Sequence, residues 1–227
     1  MRRENQLSFR RSISSYIMKI ALVLENSQAD KNAVIFRELE QTAHVAGHTV
    51  YNYGMYSAKD QRCLTYVMNG LLTSILLNTK AADFVVTGCG TGEGACLAAN
   101  AFPGVQCGHI ENPTDAYLFT QINAGNAISL PYALGFGWGG ELNLRYIFEK
   151  LFINEFGGGY PPERAEAERS NKKILDHVKT VTHRPLLEVL KSLDKDFVKK
   201  TIDDPKFAEL FYPNCQDDEI AAFLKSL

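Results

Sequence analysis

The sequence lacks a long hydrophobic run, since a charged residue, a glycine or a proline interrupts each apolar segment well before the roughly 20 residues that a membrane-spanning helix requires. It also lacks an excess of charge of one sign, because 24 Lys and Arg residues face 26 Asp and Glu residues. This balance excludes a global attraction to nucleic acids or acidic lipids, although a local basic patch could still exist. We therefore expect small molecules as partners, with no nucleic acid and no membrane.

A paired cysteine pattern is missing too. The five cysteines are an odd number without a C-x-x-C pair, so neither a zinc knuckle nor a disulfide scaffold is indicated. This cysteine usage is typical of the reducing cytoplasm, where we expect the protein to reside.

What the sequence does have is 227 residues, 45% of them hydrophobic, which is enough for one sizeable core or for a core with an appendage.

The two ends of the chain differ in composition from its centre. Residues 1–17 combine arginines with scattered serines, and a second methionine, Met18, opens the first clear strand. We expect a leader that is unstructured or precedes the true start, with an ordered arm on a neighbouring subunit or a targeting segment as alternatives. The glycines stop after about residue 180 and short charged helical stretches follow, so residues 181–227 are predicted to be a helical extension of an α/β domain at residues 18–180.

Short β-rich runs alternate with segments of helical apolar spacing throughout the centre of the chain. Strands joined by helical crossovers lie parallel, so the predicted fold class is α/β, a three-layer α/β/α sandwich with a doubly wound parallel, Rossmann-like sheet. Ligands bind such sheets beyond the carboxyl ends of the strands. The predicted strands are 19–24, 49–53, 83–87, 105–110 and 127–130, and the predicted helices are 31–46, 64–78, one from 95, 113–123 and 141–152.

The most informative segment is the glycine-rich loop after the third strand. Four glycines in seven residues, Gly88, Gly90, Gly92 and Gly94, let backbone amides approach an anion closely, and the following helix adds its positive dipole end. A helix start also stabilises a thiolate, so Cys89 could act as a base or nucleophile near neutral pH. The alternative is that Cys89 is a small buried hydrophobe, the interpretation that we favour for the other cysteines.

Three familiar chemistries do not fit this loop. A cysteine phosphatase needs an arginine six residues after its nucleophile, and that residue is Ala95. Residues 90–95 satisfy G-x-G-x-x-A, but they occupy the third strand-helix unit, whereas the dinucleotide fingerprint belongs in the first. A Walker A loop needs Gly-Lys-Ser/Thr, which the loop does not contain. The loop therefore indicates anion binding rather than nucleotide binding.

The stretch GCGTGEGACLAANAFPG at residues 88–104 resembles the signature of the ribose-5-phosphate isomerase B and galactose-6-phosphate isomerase family. MKIAL at 18–22, QINAGN at 121–126 and a late Gly-Gly pair followed by Arg164 support the resemblance, which covers about residues 18–170. It implies a flavodoxin-like sandwich, usually a homodimer with active sites shared between subunits. It also implies interconversion of aldose and ketose sugars without a metal or other cofactor.

By the same resemblance, Cys89 matches the family's catalytic base and Thr91 its loop neighbour, while the amides of residues 90–94 match the cradle for the enediolate oxygens. One base suffices for this chemistry, because it removes a proton from the carbon beside a carbonyl and returns it to the adjacent carbon. Some family members use a glutamate base that falls on Ala95 here. Glu93 is therefore a candidate for substrate binding or only an acid favoured by the helix dipole.

Other positions depart from the family. The pair Glu25 and Asn26 stands where the family has Asp-His, so an acceptor for a sugar hydroxyl survives while an imidazole that helps to hold phosphate is lost. The histidine associated with ring opening falls on Ile122, although Asn123 and Asn126 remain.

The sequence also retains fewer of the cations that bind phosphate in the family. An arginine after the fifth strand falls near Ala133, and of two late phosphate-binding arginines the first falls near Tyr160 and only the second survives, as Arg164. A dianion is usually held by several cations, and a carboxylate needs fewer. Outside the family comparison, His109 lies near the end of the fourth predicted strand and could shuttle a proton or bind a hydroxyl. The aromatic segment 132–140 could form the floor of a pocket or a dimer contact.

These residues predict an aldose-ketose isomerase that acts on a sugar phosphate through a cis-enediolate. The alternatives are isomerisation of a non-phosphorylated uronate of the 5-keto-4-deoxyuronate type, a substrate class known in the family, and a non-catalytic sugar- or anion-binding protein of the same fold. The catalytic candidates are Cys89 and Thr91. The substrate-binding candidates are Glu25, Asn26, Gly90, Gly92, Glu93, Gly94, His109, Asn123, Asn126, Tyr160 and Arg164.

Overall fold

A five-stranded, all-parallel sheet forms the centre of the protein, whose computed structural model describes residues 17–227. The predicted leader at residues 1–17 lies outside the described residues, except for Ile17. The strands are β1 (Lys19–Leu24), β2 (Thr49–Asn52), β3 (Phe84–Cys89), β4 (Cys107–His109) and β5 (Ala127–Pro131). Their order across the sheet is β2-β1-β3-β5-β4. The connection after β1 leads to one side of the sheet and the connection after β3 leads to the other side, so the loops that follow these two adjacent strands diverge and leave a crevice between them.

Helices cover both faces of the sheet, which confirms the predicted fold class. Helices α1 (Asn32–Val45), α4 (Pro113–Leu118) and α5 (Gly140–Leu151) lie on one face, while α2 (Tyr66–Asn78) and α3 (Glu93–Asn100) lie on the other. Alternate residues of β1 enter the two cores, with Leu22 on the first face and Val23 on the second. Burial on both faces explains why the strands are nearly continuous hydrophobic runs.

The structure corrects several element boundaries. Strand β3 runs two residues further than predicted, because Gly88 and Cys89 pair with Leu130 and Pro131 of β5. A Cβ on Gly88 would lie 2.3 Å from the carbonyl oxygen of Leu130, so this glycine permits the close approach of two strands rather than of a ligand. The true loop is consequently shorter than the glycine-rich segment, and α3 begins at Glu93 instead of residue 95.

The segment predicted as one helix over 113–123 is also different. Helix α4 ends at Leu118, and residues 119–123 widen into a π-turn that closes at Ala124 in a left-handed conformation with φ 45°. Strand β4 is shorter than predicted because residues 105 and 106 precede its ladder with β5.

Five further helices complete the chain: α6 (Ala165–Thr182), α7 (Leu186–Ser192), α8 (Lys195–Ile202), α9 (Pro205–Asn214) and α10 (Asp218–Lys225). Helices α7 to α10 all lie within residues 181–227, where the sequence predicted a helical extension, and α9 carries a proline at each end. Apolar residues of α7 to α10, among them Leu190, Phe207 and Phe211, join the same core as α2 and the sheet. Within residues 17–227, no helix has both the length and the apolar character needed to cross a bilayer.

Arg62 connects these C-terminal helices to the loop between β2 and α2. Its Nη2 donates to the carbonyl oxygens of Tyr53 (2.6 Å) and Gly54 (3.1 Å), and its Nη1 donates to that of Thr201 (3.4 Å). Nη2 also lies 3.3 Å from a carboxylate oxygen of Asp204. Burial lowers the pKa of Arg62, while the negative charge of Asp204 opposes this effect.

Replacing Phe211 with alanine should test this shared core. The side chain is fully buried and its ring stacks on that of Phe207 at a centroid distance of 4.8 Å. We expect the free energy of unfolding in urea to fall by about 3–5 kcal/mol. The matched variant Phe223→Ala, at a partly buried position of the same cluster, should cost clearly less. Equal losses would contradict the placement of α9 in the core.

Candidate active site

The strand register brings the ends of β1, β3 and β4 together at the carboxyl edge of the sheet. Leu24, the last residue of β1, pairs with Gly88, so the next residues along the two strands, Glu25 and Cys89, lie side by side. Cys89 in turn pairs with Pro131, and His109 pairs with Ser129 two residues earlier on β5. Glu25 and the last residues of β3 and β4 therefore lie at the same edge of the sheet.

Cys89 is the last residue of β3, and it is held through its backbone. Its carbonyl oxygen accepts a hydrogen bond from the amide of Tyr132 (2.9 Å), and the next carbonyl, that of Gly90, accepts one from Ala133 (2.9 Å). The residue keeps 9% of its surface exposed. Cys89 thus occupies a rigid position at the rim of the core, directly before the turn that leads into α3.

The turn after Cys89 consists of residues 90–92. Gly92 has φ 79°, and a Cβ there would lie 2.6 Å from Nε2 of His109 and 2.9 Å from the backbone of Leu130. Gly90 is different, because a Cβ there would make only ordinary contacts of 3.7 Å. Gly94, in the first turn of α3, lies against the ring of Tyr66. Backbone amides and the start of α3 thus border an open turn, a suitable place for an anion.

His109 lies against this turn. Its Nε2 is 3.0 Å from the carbonyl oxygen of Thr91, and its Nδ1 is 3.4 Å from Glu93 and 3.7 Å from Glu111. The Thr91 hydroxyl accepts a hydrogen bond from the amide of Glu93 at 3.3 Å. The structure therefore brings His109, Thr91 and Glu93 together. Glu111 was not predicted, although it belongs to the loop that follows β4.

Glu25 and Asn26 form the other wall of the site. The Glu25 carboxylate is buried and accepts hydrogen bonds from the amide and hydroxyl of Ser27, so it caps the 3₁₀ turn at Asn26–Lys31. Asn26 is exposed. Its side-chain Nδ2 donates to Sγ of Cys63 (3.1 Å), and its backbone amide donates to the carbonyl oxygen of Leu64 (2.8 Å). The loop before α2 is thereby tied to the loop after β1.

Four predicted site residues lie elsewhere in the same chain. Asn126 precedes β5 and bonds the backbone of Gln106 and Gly104. The next residue, Ala127, pairs with Val85 of β3. Val85 lies four residues before Cys89, a distance of roughly 13 Å along the strand. Asn123 lines a cavity of about 250 Å³ at this amino edge of the sheet.

Tyr160 and Arg164 also contact residues outside the turn that follows Cys89. Tyr160 packs edge-on against Tyr117 of α4 at a centroid distance of 6.0 Å, and Arg164 pairs with Glu168 at 3.4 Å. One chain therefore does not bring Asn123, Asn126, Tyr160 or Arg164 to Cys89.

Lys31 reaches the site although sequence reasoning did not identify it. Its Nζ donates to the carbonyl oxygen of Tyr132 (2.6 Å) and to Oε1 of Gln28, and it lies 4.9 Å from the ring centroid of Phe136. A lysine near the start of a helix is ordinarily solvated, so only its position in the loop after β1 could have indicated it. The aromatic segment 132–140 that receives it lies over a cavity of about 140 Å³.

Cys96 differs from the inert cysteine that we expected. It lies in α3, where the hydrogen bond from the Cys107 thiol and, less strongly, the nearby His109 lower its pKa to about 7. The same pairing and burial raise the pKa of Cys107. Asn100 holds both residues by donating to the two backbone carbonyls. The described structure thus places a thiol with a lowered pKa in the helix that follows the glycine turn.

A family model described as ribose/galactose isomerase matches residues 20–166, the greater part of the chain. The protein belongs to the ribose/galactose isomerase family. It is therefore a sugar isomerase, an intramolecular oxidoreductase, and the resemblance that the sequence suggested is confirmed. A second family model, described as ribose-5-phosphate isomerase, matches residues 181–227. No curated protein matches the sequence.

Solved structures include two isomerases of similar length. A 4-deoxy-L-threo-5-hexosulose-uronate ketol-isomerase crystallised with a tartrate is 59% identical, with a TM-score of 0.90, covering 92% of this chain and 98% of the other. A ribose-5-phosphate isomerase from Vibrio parahaemolyticus is 52% identical, with a TM-score of 0.90 and coverage of 93% and 99%. A type B ribose 5-phosphate isomerase from Trypanosoma cruzi, 16% identical over 72% of this chain and 99% of that one, shares the fold with a TM-score of 0.60.

The variant Gly92→Ala should distort the turn beside Cys89. A side chain at a positive φ costs about 1–2 kcal/mol, and here the backbone of Leu130 blocks the new methyl group as well. We expect lower thermal stability and an at least tenfold loss of isomerase kcat/KM. Gly137→Ala is the matched control, because nothing lies within 4 Å of its Cβ position. If both variants behaved alike, the turn would not depend on Gly92.

Alkylation should reveal the lowered pKa of Cys96. Because the thiolate is the reactive form, the rate of iodoacetamide labelling at Cys96 should rise with pH and reach half of its maximum near pH 7. In Cys107→Ala the hydrogen bond is lost, the pKa rises and the midpoint moves to higher pH. Peptide mass spectrometry measures labelling at each cysteine separately. An identical midpoint in the two proteins would refute this explanation.

Proposed function

We propose that the protein is a ketol-isomerase in which Cys89 is the base that moves the proton between adjacent carbons. The observation that carries this proposal is the position of Cys89, beside Glu25 and directly before a turn of backbone amides at the start of a helix. A fixed thiol beside anion-stabilising amides is what an enediolate mechanism requires.

In this mechanism the thiolate of Cys89 removes the proton from the carbon beside the carbonyl, and the electron pair moves onto the carbonyl oxygen. The resulting enediolate is stabilised by the amides of residues 90–94 and by the helix dipole. Cys89 then returns the proton to the neighbouring carbon, while a hydroxyl proton passes between the two oxygens. Glu25 and Asn26 orient the hydroxyl groups, and His109 transfers the hydroxyl proton.

A sugar acid is the substrate class that the geometry supports best. The loops that follow β1, β3, β4 and β5 carry one cation, Lys31, within the ranges 25–31, 90–92, 110–112 and 132–139. A single cation suits the monoanionic carboxylate of a 5-keto-4-deoxyuronate better than a phosphate dianion. Similarity to the uronate ketol-isomerase, at 59% identity, supports the same choice. A sugar phosphate of the ribose or galactose type is the second candidate, which the Vibrio parahaemolyticus relative favours.

We further propose a cytoplasmic homodimer with shared active sites. Within their own chain Asn123, Tyr160 and Arg164 contact residues other than those around Cys89, so in this proposal they serve the site of the partner subunit, which Arg164 reaches with its charge already paired with Glu168 at 3.4 Å. Apolar side chains that a partner could cover are exposed on α6 and α3, namely Ile174, Leu175, Val178, Val181 and Leu97.

Replacing Cys89 with alanine should abolish catalysis and spare binding. We expect incorporation of solvent deuterium at the migrating position, followed by NMR in D₂O, to fall by roughly 10²- to 10⁴-fold, the usual contribution of a general base. The control Cys215→Ala changes a thiol in the C-terminal helices and should exchange at the normal rate. Normal exchange by the Cys89 variant would refute its role as the base.

A turnover panel should identify the substrate class. The panel contains ribose and galactose phosphates, 5-keto-4-deoxyuronates and open-chain analogues, and we expect the highest kcat/KM for the uronates. Activity restricted to phosphorylated sugars would eliminate the uronate proposal. A melting temperature that rises with a sugar acid, without turnover of any compound, would favour a binding protein that lost its ring-opening histidine at Ile122.

A further inference from the structure

We infer that Lys31 binds the carboxylate of the substrate and thereby selects a sugar acid, an inference that rests on the proposed ketol-isomerase function of the site. Three observations support it: the ammonium group is partly buried, its hydrogen-bond partners are neutral, and one of these partners, Tyr132, also bonds the backbone of Cys89.

The ammonium group of Lys31 is charged but has no charged partner. Its contacts are the carbonyl oxygen of Tyr132, Oε1 of Gln28 and the face of the Phe136 ring, all of them neutral. None of the ion pairs found among residues 17–227 includes this lysine. A lysine has three N–H donors, and the two hydrogen bonds leave one of them for a ligand.

The location of this group suits the far end of a bound sugar. Tyr132, whose carbonyl receives the lysine, donates its own amide to the carbonyl of Cys89 at 2.9 Å. The following residue, Ala133, is exposed and donates to the carbonyl of Gly90 at 2.9 Å. Two hydrogen bonds in series, through the backbone of Tyr132, therefore connect Lys31 to Cys89. The small side chain of Ala133 leaves room for a ligand between Lys31 and the turn that follows Cys89.

The surrounding charges decide which anion fits. The carboxylates of Glu25, Glu93 and Glu111 lie around the same edge, where Glu25 caps a turn and the other two face His109. A phosphate dianion would be repelled by these carboxylates, and the loops of one chain offer it a single ammonium group that no carboxylate already pairs. A carboxylate carries a single charge, so the repulsion is smaller while one charge-assisted hydrogen bond remains available. We therefore assign the carboxylate of a keto-uronate to Lys31.

Kinetics of Lys31→Met test this assignment. We expect KM for a 5-keto-4-deoxyuronate to rise roughly 10- to 100-fold, the range for loss of one hydrogen bond to a charged group, while kcat changes little. Lys31→Arg should recover part of the affinity. The matched control is Lys19→Met, because Nζ of Lys19 also donates to two backbone carbonyls, those of Lys80 and Asn214, but at the amino end of β1. The control should keep the KM of the unmodified protein.

Tartrate provides a probe that does not depend on turnover. This small dicarboxylate occupies a crystal of the 59% identical ketol-isomerase, and its binding here can be measured by calorimetry. The single tryptophan, Trp138, lies in the same segment as Phe136 and offers a fluorescence signal as well. We expect tartrate to bind at least tenfold more weakly to Lys31→Met than to Lys19→Met. Lys31→Gln replaces the methionine variant if the latter does not fold.

The outcomes separate this inference from the proposed function. An unchanged KM and unchanged tartrate affinity in Lys31→Met would overturn the inference, and loss of exchange in Cys89→Ala would still support the function. An equal rise of KM for phosphorylated sugars would overturn the selection of carboxylates. Tartrate binding that depends on Lys31, in a protein that turns over no sugar, would support the anion site and refute the proposed function.

Discussion

The pairing of Leu24 with Gly88 between β1 and β3 is the constraint on which the site depends. A parallel ladder of hydrogen bonds fixes this register, and a shift of one residue would turn each side chain to the opposite face of the sheet. With the observed register, Glu25 and Cys89 emerge together at the carboxyl edge. The neighbouring pairing of Cys89 with Pro131 then determines which residues of the fifth loop can reach the turn.

The site combines backbone donors with few charges. Amides and the start of α3 provide positive potential, and His109 is held between Thr91 and two carboxylates. Lys31 is held by neutral groups, which position its charge without neutralising it. The loops of each chain thus offer a ligand one cation that is not already ion-paired, which is the physical reason why we favour a monoanion.

The C-terminal helices also contribute to the geometry of the site. Arg62 joins the carbonyl oxygens of Tyr53 and Gly54 to Thr201 and Asp204. The loop that contains Arg62 also includes Leu64, whose carbonyl oxygen accepts a hydrogen bond from the amide of Asn26. Residues far from the chemistry thereby fix one wall of the pocket.

Local patterns determined much of this protein in advance. Hydrophobic periodicity, a property of neighbouring residues, predicted the five strands and the helices of both faces. The resemblance of residues 88–104 to a known signature indicated the family, and the glycine spacing indicated the turn around Cys89. They did not reveal the strand role of Gly88 or the lowered pKa of the Cys96 thiol. Only the tertiary structure placed Lys31 against Tyr132, 101 residues away, and separated Asn126 from Cys89. Such contacts depend on strand order and register, which arise from packing of the whole sheet rather than from any local segment.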